Sequence, residues 1–341
     1  MLKKIKIGLK ALYFINIRRN PEGFVPIMMS IKLTDRCNYR CITCNEYEIA
    51  DKQKELPVEV WERAIRDFSK MGGYSVRFTG GEPFIRKKDL FRLITLSKKL
   101  GLRVAIATNG SLITDDDIEF LQKKLIDHIT ISIHGSEEVH NSIVRVKNSY
   151  KRLDNTVKKL KAAGLPVDIA FTVLKQNMKE INFIVEYAKN LNIKVGFNIF
   201  DNKLYFFKGI DDHLAPSVEE MKTVSCFLSQ LKKRYPNHIN GTVRAFKIIP
   251  ELVQDSRLPY YYCARTLLEI FIDSFGNVMP GCWVMSPVGN IKKQSLIDIW
   301  KSEKYKKQRM KGFIKQCPGC TCGYELDVML NLKRHKISKR I

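Results

Sequence analysis

The 341-residue chain has no run approaching the ~18 consecutive apolar residues of a membrane span, which excludes a helical integral membrane protein. Its N-terminal stretch, MLKKIKIGLKALYFINIRR, carries lysines inside the apolar pattern and no small-residue cleavage site, so export is not expected. Internal repeats and low-complexity tracts are absent, which removes repeat architectures. Acid is short as well: 35 Asp and Glu stand against 59 Lys and Arg, a formal charge of +24. Histidine numbers only six, and the nearest one to the first cysteine group, His128, lies 84 positions beyond Cys44. A closed zinc site built on that group is therefore short of its fourth ligand.

What is present reads as a globular protein with a sizeable core, since 45% of residues are hydrophobic. The positive charge gathers at the ends: residues 1–20 hold six basic residues and no acid, and residues 301–341 hold twelve against three acids. Such a balance suits a phosphate-bearing substrate, an anionic membrane surface or nucleic acid, or equally a solvated basic surface. Nine cysteines are an odd count, and eight fall in two groups, which reads as metal ligation in a reducing cytoplasm rather than a disulfide framework. The ninth, Cys226, is expected to be a small buried hydrophobe.

From position 27 to 200, six short apolar runs alternate with helical patterns: 27–33, 75–79, 104–108, 128–134, 167–173 and 194–200. Buried strands alternating with helices predict parallel βα units, hence an α/β fold with a partial (β/α)6 TIM-like barrel. Thr114 is placed to cap the helix that follows it, and Gly101 and Gly164 stand where left-handed helix ends are needed. In such a barrel the loops after the strands converge on one face. Those loops hold CNYRCITC (Cys37, Cys41, Cys44), TGGEP (Thr79 to Pro83), TNG (Thr108 to Gly110) and SIHG (Ser132 to Gly135). After Phe200 the rhythm stops, a helix capped by Ser217 and Glu220 begins, and a hairpin at Gly276–Asn277 and one helix through SLIDIWKSEKYKKQRM precede CPGCTC. The expected division is a basic amphipathic segment at 1–26, a barrel and linker at 27–216, and a smaller cysteine-rich α+β unit at 217–341.

Thiolates in a tight loop bind soft metals, so zinc and iron–sulfur clusters are the candidates. The spacing Cys37-x3-Cys41-x2-Cys44 after a first strand, followed by Gly80-Gly81-Glu82-Pro83 after a second, resembles the radical S-adenosylmethionine (SAM) superfamily. That resemblance implies a [4Fe–4S] cluster held by the three cysteines, with one iron open to the amine and carboxylate of SAM. It implies SAM cleavage to a 5′-deoxyadenosyl radical that abstracts hydrogen from a substrate, and an electron donor such as flavodoxin or ferredoxin. The glycines let backbone approach a ligand, and the Glu82 carboxylate can accept hydrogen bonds from an ammonium group. The stretch SIHGSEEVHNSIVR is similar to the family segment after the fourth strand; it implies Ser132 at the ribose and Arg145 on the SAM carboxylate, a pairing that guanidinium geometry favours. His134 stands where the family usually has Asp, and Thr43 where it often has an aromatic. Asn109 either faces SAM or shapes its turn.

The second group, Cys263-x18-Cys282-x34-Cys317-x2-Cys320, can supply four thiolates to a closed zinc or iron–sulfur site. It resembles the SPASM and twitch extensions of the same superfamily. Five cysteines where a full SPASM domain has seven imply one auxiliary [4Fe–4S] cluster, with Cys322 left over. Related extensions act on peptides and on sugar-alcohol substrates. The N-terminal segment, with Leu2, Ile5, Leu9, Leu12 and Tyr13 near one helical face and lysines elsewhere, is either a helix packed on the barrel or a peripheral anchor on an anionic membrane, which would make a lipid-linked substrate attractive. The competing reading is a zinc-thiolate protein that binds nucleic acid through its basic ends; it leaves GGEP unexplained, and specific nucleic-acid binding is not expected.

Overall fold

A computed structural model describes residues 8–50, 55–200, 212–255 and 262–321. All six expected strands form, as β1 Met28–Lys32, β2 Ser75–Thr79, β3 Arg103–Thr108, β4 His128–Ser132, β5 Val167–Val173 and β6 Lys194–Ile199. They pair in parallel in chain order. The crossovers carry helices α1 Val58–Lys70, α2 Lys87–Lys99, α3 Asp115–Lys123, α4 Glu137–Val144, α5 Ser149–Ala162 and α6 Ile181–Asn190. Thr114 caps α3 in a reciprocal box with Asp117, and Gly101 and Gly164 both adopt φ +72. This is the partial barrel of parallel βα units that the sequence predicts.

Strands β2 to β6 alternate strictly between buried and more exposed residues, whereas β1 is buried from Met29 to Lys32. Val76, Phe78, Val104, Ile106, Ile129 and Ile131 are fully or almost fully buried against Trp61, Phe68, Leu90 and Leu93 of the helices. The other face carries Ser30, Lys32, Arg77, Thr79, Thr130 and Asp168, with Ala105, Ala107, Ala170 and Gly196 between them. A parallel sheet covered on both faces by packed side chains is apolar on both. Polar and small residues on the inner face instead leave an open, wettable lumen.

The chain beyond 212 covers both edges of this sheet. Helices α7 Val218–Arg234 and α8 Val243–Gln254 pack beside β6, where Val195 exchanges backbone hydrogen bonds with His238 and Asn240. Ser217 and Glu220 form the predicted capping box of α7. Cys226 on α7 is exposed rather than buried, so it is not the core residue expected of it. After the short helix α9 Ala264–Leu268, strand β7 Glu269–Ile272 pairs in parallel with β1, and β8 Asn277–Pro280 and β9 Gly289–Asn290 add on antiparallel. The cysteine-rich segment thus continues the barrel sheet, giving nine strands in the order β6-β5-β4-β3-β2-β1-β7-β8-β9. Its turn occupies 273–276, and Asn277 already belongs to β8. The single helix expected through SLIDIWKSEKYKKQRM is two, α10 Leu296–Lys301 and α11 Glu303–Phe313. Ser302 breaks it by adopting ψ 146 and capping α11 through the Tyr305 N–H.

At the other end of the chain, residues 8–12 are helical and run into a π-helical turn, Tyr13–Arg18. Ala11, Phe14 and Ile15 pack with Phe24, Tyr262, Leu267 and Phe313. Arg309 of α11 is buried and donates to the carbonyls of Pro21, Thr266 and Leu267, fastening this segment to the cysteine-rich unit. The apolar face expected to pack is the outer one: Leu9 is 63%, Leu12 37% and Tyr13 47% exposed. Leu2 and Ile5 lie outside the described residues.

Candidate functional site

The three N-terminal cysteines sit on an irregular loop that follows β1 and borrows its order from neighbouring loops. Gly81 N–H donates to Thr34 O (2.7 Å) and Glu82 N–H to Arg36 O (2.8 Å). Arg40 N–H and Ile42 N–H donate to Val144 O and Ile143 O, carbonyls at the C-terminal end of α4 that a helix leaves unsatisfied. Arg36 forms a bidentate pair with Glu55, both contacts at 3.0 Å, and Thr34 hydrogen-bonds the same carboxylate. The two glycines of GGEP are needed for this contact. A Cβ on Gly80 would stand 2.5 Å from Thr34 O, and one on Gly81 would stand 2.3 Å from Arg36 O. The close approach expected toward a ligand is therefore made first to the cysteine loop's own backbone.

Cys37, Cys41 and Cys44 line one cavity of about 160 Å³ together with Glu46, Gly80, Asn109 and Ser132. A second cavity of about 480 Å³ shares Cys41, Cys44 and Tyr47 with it and adds Arg145 and His213. Burial pushes the Cys37 thiol up to about 11 and the Cys44 thiol up to about 12. Cys41 is raised further, by burial and then by its two neighbouring thiols. Three crowded thiols need a cationic partner to ionise, and a [4Fe–4S] cluster supplies one. In a cubane each thiolate binds a different iron, so the ligands need not meet at a point. Among the described residues no three His, Cys, Asp or Glu side chains are placed around a single metal ion, so the zinc alternative gains no geometric support there. The donor set fits the cluster.

Glu82 is completely buried, and its carboxylate accepts from Phe84 N–H (3.0 Å), Thr108 Oγ1 (2.7 Å) and Asn109 N–H (2.8 Å). Burial raises its pKa to about 7 against the pull of those three donors. It ties the β2 loop to the β3 loop beneath the cavity, with Pro83 buried at the first position of the 3-10 turn Pro83–Arg86. Asn109 both shapes its turn and reaches the cysteine loop: its Oδ1 accepts from Ser111 N–H, while its Nδ2 donates to Asn38 Oδ1 and lies 4.0 Å from Cys37 Sγ. Ser132 closes β4 on the cavity wall. Arg145 is the left-handed residue (φ 56) that ends α4, which delivers it beside Cys41.

His134 is buried beyond Ser132, and its N–H donates to Nδ1 of the fully buried His140 at 3.2 Å. Among the described residues neither His134 Nδ1 nor His140 Nε2 finds a hydrogen-bond partner. Burial lowers both pKa values, to about 4 and about 3, so both rings are neutral near pH 7.

The second cysteine group gathers around the C-terminal end of α11. Cys263 N–H donates to Phe313 O (2.9 Å), a Cβ on Gly281 would touch Thr266 Cα, and Cys317 packs on Phe271, Met279 and Met285. Cys282 is buried and Cys320 half-buried, and Cys322 lies outside the described residues. Cys263 at the start of α9, Cys282 after β8 and Cys317 after α11 supply soft thiol donors of the kind an auxiliary iron–sulfur cluster takes. Between the two groups stands an ionic cluster that the strand pattern concealed. Lys32 is 1% exposed and pairs with Asp35 and with Glu46, the latter at 2.5 Å. Its Nζ lies 5.6 Å from the ring centre of Trp283, next to Cys282. Its signal in the sequence was a polar residue at every second position of β1, which an apolar-run reading passes over.

Comparison with known proteins agrees with this geometry. The radical SAM superfamily profile matches residues 31–188, and the profile of the SPASM iron–sulfur cluster-binding domain matches 263–322. The sporulation killing factor maturation protein SkfB of Bacillus subtilis is 25% identical over 84% of this chain and 67% of its own length. An AdoMet-dependent heme synthase of Methanosarcina barkeri is 26% identical over 86% and 91%. In fold, SuiB of Streptococcus suis with its precursor peptide SuiA matches at a TM-score of 0.69 and 18% identity, over 99% of this chain and 80% of SuiB.

Two outcomes follow from the site's construction. Gly81→Ala drives a methyl into the Arg36 carbonyl, an overpacking cost of about 1–3 kcal/mol, and is expected to lower the iron retained after anaerobic reconstitution, read by iron and sulfide assay. The two histidines are held neutral in the fold but take up protons below about pH 6.5 when unfolded, so stability is lost as pH falls from there toward 4. His140→Gln, which keeps an acceptor for the His134 N–H, should flatten the fall of the thermal midpoint over that range; an unaltered slope would contradict the assignment.

Proposed function

The chain belongs to the radical SAM superfamily and carries a SPASM iron–sulfur domain, and from that premise we propose an oxidoreductase that takes a hydrogen atom from a substrate held in the barrel lumen. Cys37, Cys41 and Cys44 would hold the [4Fe–4S] cluster, which with SAM bound would supply the one-electron reductive chemistry that starts hydrogen abstraction. This chain's residues bind and orient. Arg145 offers a planar guanidinium beside Cys41 for a carboxylate, and Asn109 and Ser132 present polar groups in the adjoining cavity that shares Cys41 and Cys44. The β2 turn, braced by Glu82, fixes the floor. The observation that carries the reading is this meeting of residues from four βα loops around adjoining cavities, pinned by backbone hydrogen bonds. Cys263, Cys282, Cys317 and Cys320 would hold the auxiliary cluster, and a one-electron donor such as flavodoxin or ferredoxin would supply the reducing equivalent. A reducing, cytoplasmic setting suits such thiolates.

A peptide is the substrate class with most support, since one relative is a maturation protein and the fold match to a precursor-peptide complex spans nearly the whole chain. The heme synthase relative supports a small-molecule substrate instead. Deuterium transfer from a labelled candidate into 5′-deoxyadenosine separates the two.

The N-terminal helix supports a second reading, contact with an anionic membrane. Leu9, Leu12, Tyr13 and Ile17 form an exposed apolar stripe, with Ile17 at 71%, and Lys10, Arg18 and Arg19 flank it. The basic flank complements anionic headgroups, and the stripe is sized to lie in the interface.

Anaerobically reconstituted protein should contain about eight irons with matching sulfide, as two cubanes require, and zinc without sulfide would overturn the reading. Alanine at Cys37, Cys41 or Cys44 should abolish 5′-deoxyadenosine formation, whereas Cys263→Ala should spare SAM cleavage more than product formation. For the membrane, Leu9→Glu with Ile17→Glu should release the protein from phosphatidylglycerol vesicles in co-sedimentation. Equal binding by variant and parent would end that proposal.

A further inference from the structure

The inner face of the barrel holds a cation that the SAM site does not use. Arg77 is the middle residue of β2, two positions before Thr79, and Thr79 lines the cysteine cavity. The same strand face therefore carries Arg77 about 7 Å deeper into the lumen, one side-chain row below the reaction centre. Its cross-strand neighbours are Ser30 and Ala105, both short, and beyond Ala105 in the same row stands His128. Arg77 makes no ion pair or hydrogen bond with any described residue.

The acids nearby are committed elsewhere. Glu269 accepts from Ser30 Oγ and pairs with Arg265 at 2.5 Å. Asp168 accepts from Lys194 N–H (3.2 Å) and Asn240 Nδ2 (3.3 Å) and faces His128 at 3.7 Å. Burial in the lumen pulls the Arg77 pKa down, and Glu269 only partly restores it. A half-buried guanidinium that shares its one nearby carboxylate, Glu269, with Arg265 is left incompletely neutralised, and a fold can remove that cost with one substitution. Two strands along the same row, His128 lines a cavity of about 340 Å³ together with Thr130, Asp168, Ala170, Gly196 and Asn198. The small residues on that wall leave room that an ordinary barrel core would fill.

We propose that Arg77 binds a carboxylate of the substrate and so sets which carbon is presented to the reaction centre above it. The proposal rests on the radical SAM reading for its site and adds the substrate's chemical class. A carboxylate fits better than a phosphate, because a single guanidinium that already feels Glu269 offsets one negative charge and not two. The planar fork also orients what it holds, which a lysine would not.

The test uses cluster-loaded enzyme with SAM and propionate as the probe, followed by saturation-transfer NMR with acetate and inorganic phosphate as competitors. Wild type should bind propionate saturably, acetate should displace it and phosphate should do so poorly. Arg77→Gln should weaken propionate at least about tenfold and Arg77→Lys by a smaller factor. SAM cleavage by dithionite in the absence of substrate should be unchanged in both variants, and its failure in the wild type would count against the radical SAM reading alone. Equal binding by wild type and Arg77→Gln, equal displacement by phosphate, or no saturable binding to wild type would each overturn the carboxylate assignment. If Arg77→Gln does not load its clusters, Arg77→Lys decides, unchanged affinity refuting the proposal and reduced affinity supporting it.

Discussion

Four backbone hydrogen bonds hold the reactive loop, and everything at the site depends on them. The segment between β1 and Cys44 has no regular structure of its own, so its polar groups must find partners in other loops. It finds them in Thr34 and Arg36 carbonyls that receive Gly81 and Glu82, and in Arg40 and Ile42 amides that satisfy the open end of α4. The second pair turns a helix terminus into a docking point, and the residue that ends the helix is Arg145. A basic side chain and the three thiols are thereby placed by one set of contacts.

The barrel around this loop is built as two unlike faces. Outward residues pack into a continuous core with the crossover helices, and they supply the apolar burial that stabilises the fold. Inward residues contribute little to that core, which frees them to be polar, charged or small. Both sheet edges are covered by the chain after 212, α7 and α8 on the β6 side and the β7–β8 hairpin on the β1 side. Cys282 follows a hairpin that extends the sheet past β1, the strand that launches the first cysteine loop, so its position is set by the sheet itself.

Much of this was legible in the sequence where signals are local. The six strands stood out because each is a short apolar run between a capped helix start and a glycine-bearing helix end, as at Thr114 and Gly101. The cysteine spacing and GGEP were legible because they follow two successive strands, β1 and β2, as local motifs. Pairing of β7 with β1 joins Met28 to Glu269, a contact that no local pattern encodes. The break at Ser302 was hidden because a serine among charged residues also reads as an exposed helix face. In the N-terminal helix the face that periodicity groups, Leu9, Leu12 and Tyr13, is the exposed one, and packing is made instead by Ala11, Phe14 and Ile15. Glu82 could be read as an acceptor; only the fold reveals that Phe84, Thr108 and Asn109 are its donors.

Lys32 raises the question of why a fold would place charge between its two cysteine groups. Taking an ammonium and two carboxylates out of water costs more than an apolar replacement would, and removing one partner alone costs about 3–5 kcal/mol. Burial by itself lowers the Lys32 pKa, but Glu46 and Asp35 outweigh it and keep the ammonium charged. Asp35 also accepts from Ser274 of the β7–β8 turn at 2.5 Å. The cluster therefore links the first cysteine loop to the hairpin that precedes Cys282, and its directional bonds fix a relative position that apolar packing would leave adjustable. The same ammonium acts on Cys44, lowering its pKa where Glu46 raises it. A buried countercharge near a thiolate is what an apolar filler could not provide, so the ionic cluster is better explained by positioning and by charge near the site than by stability.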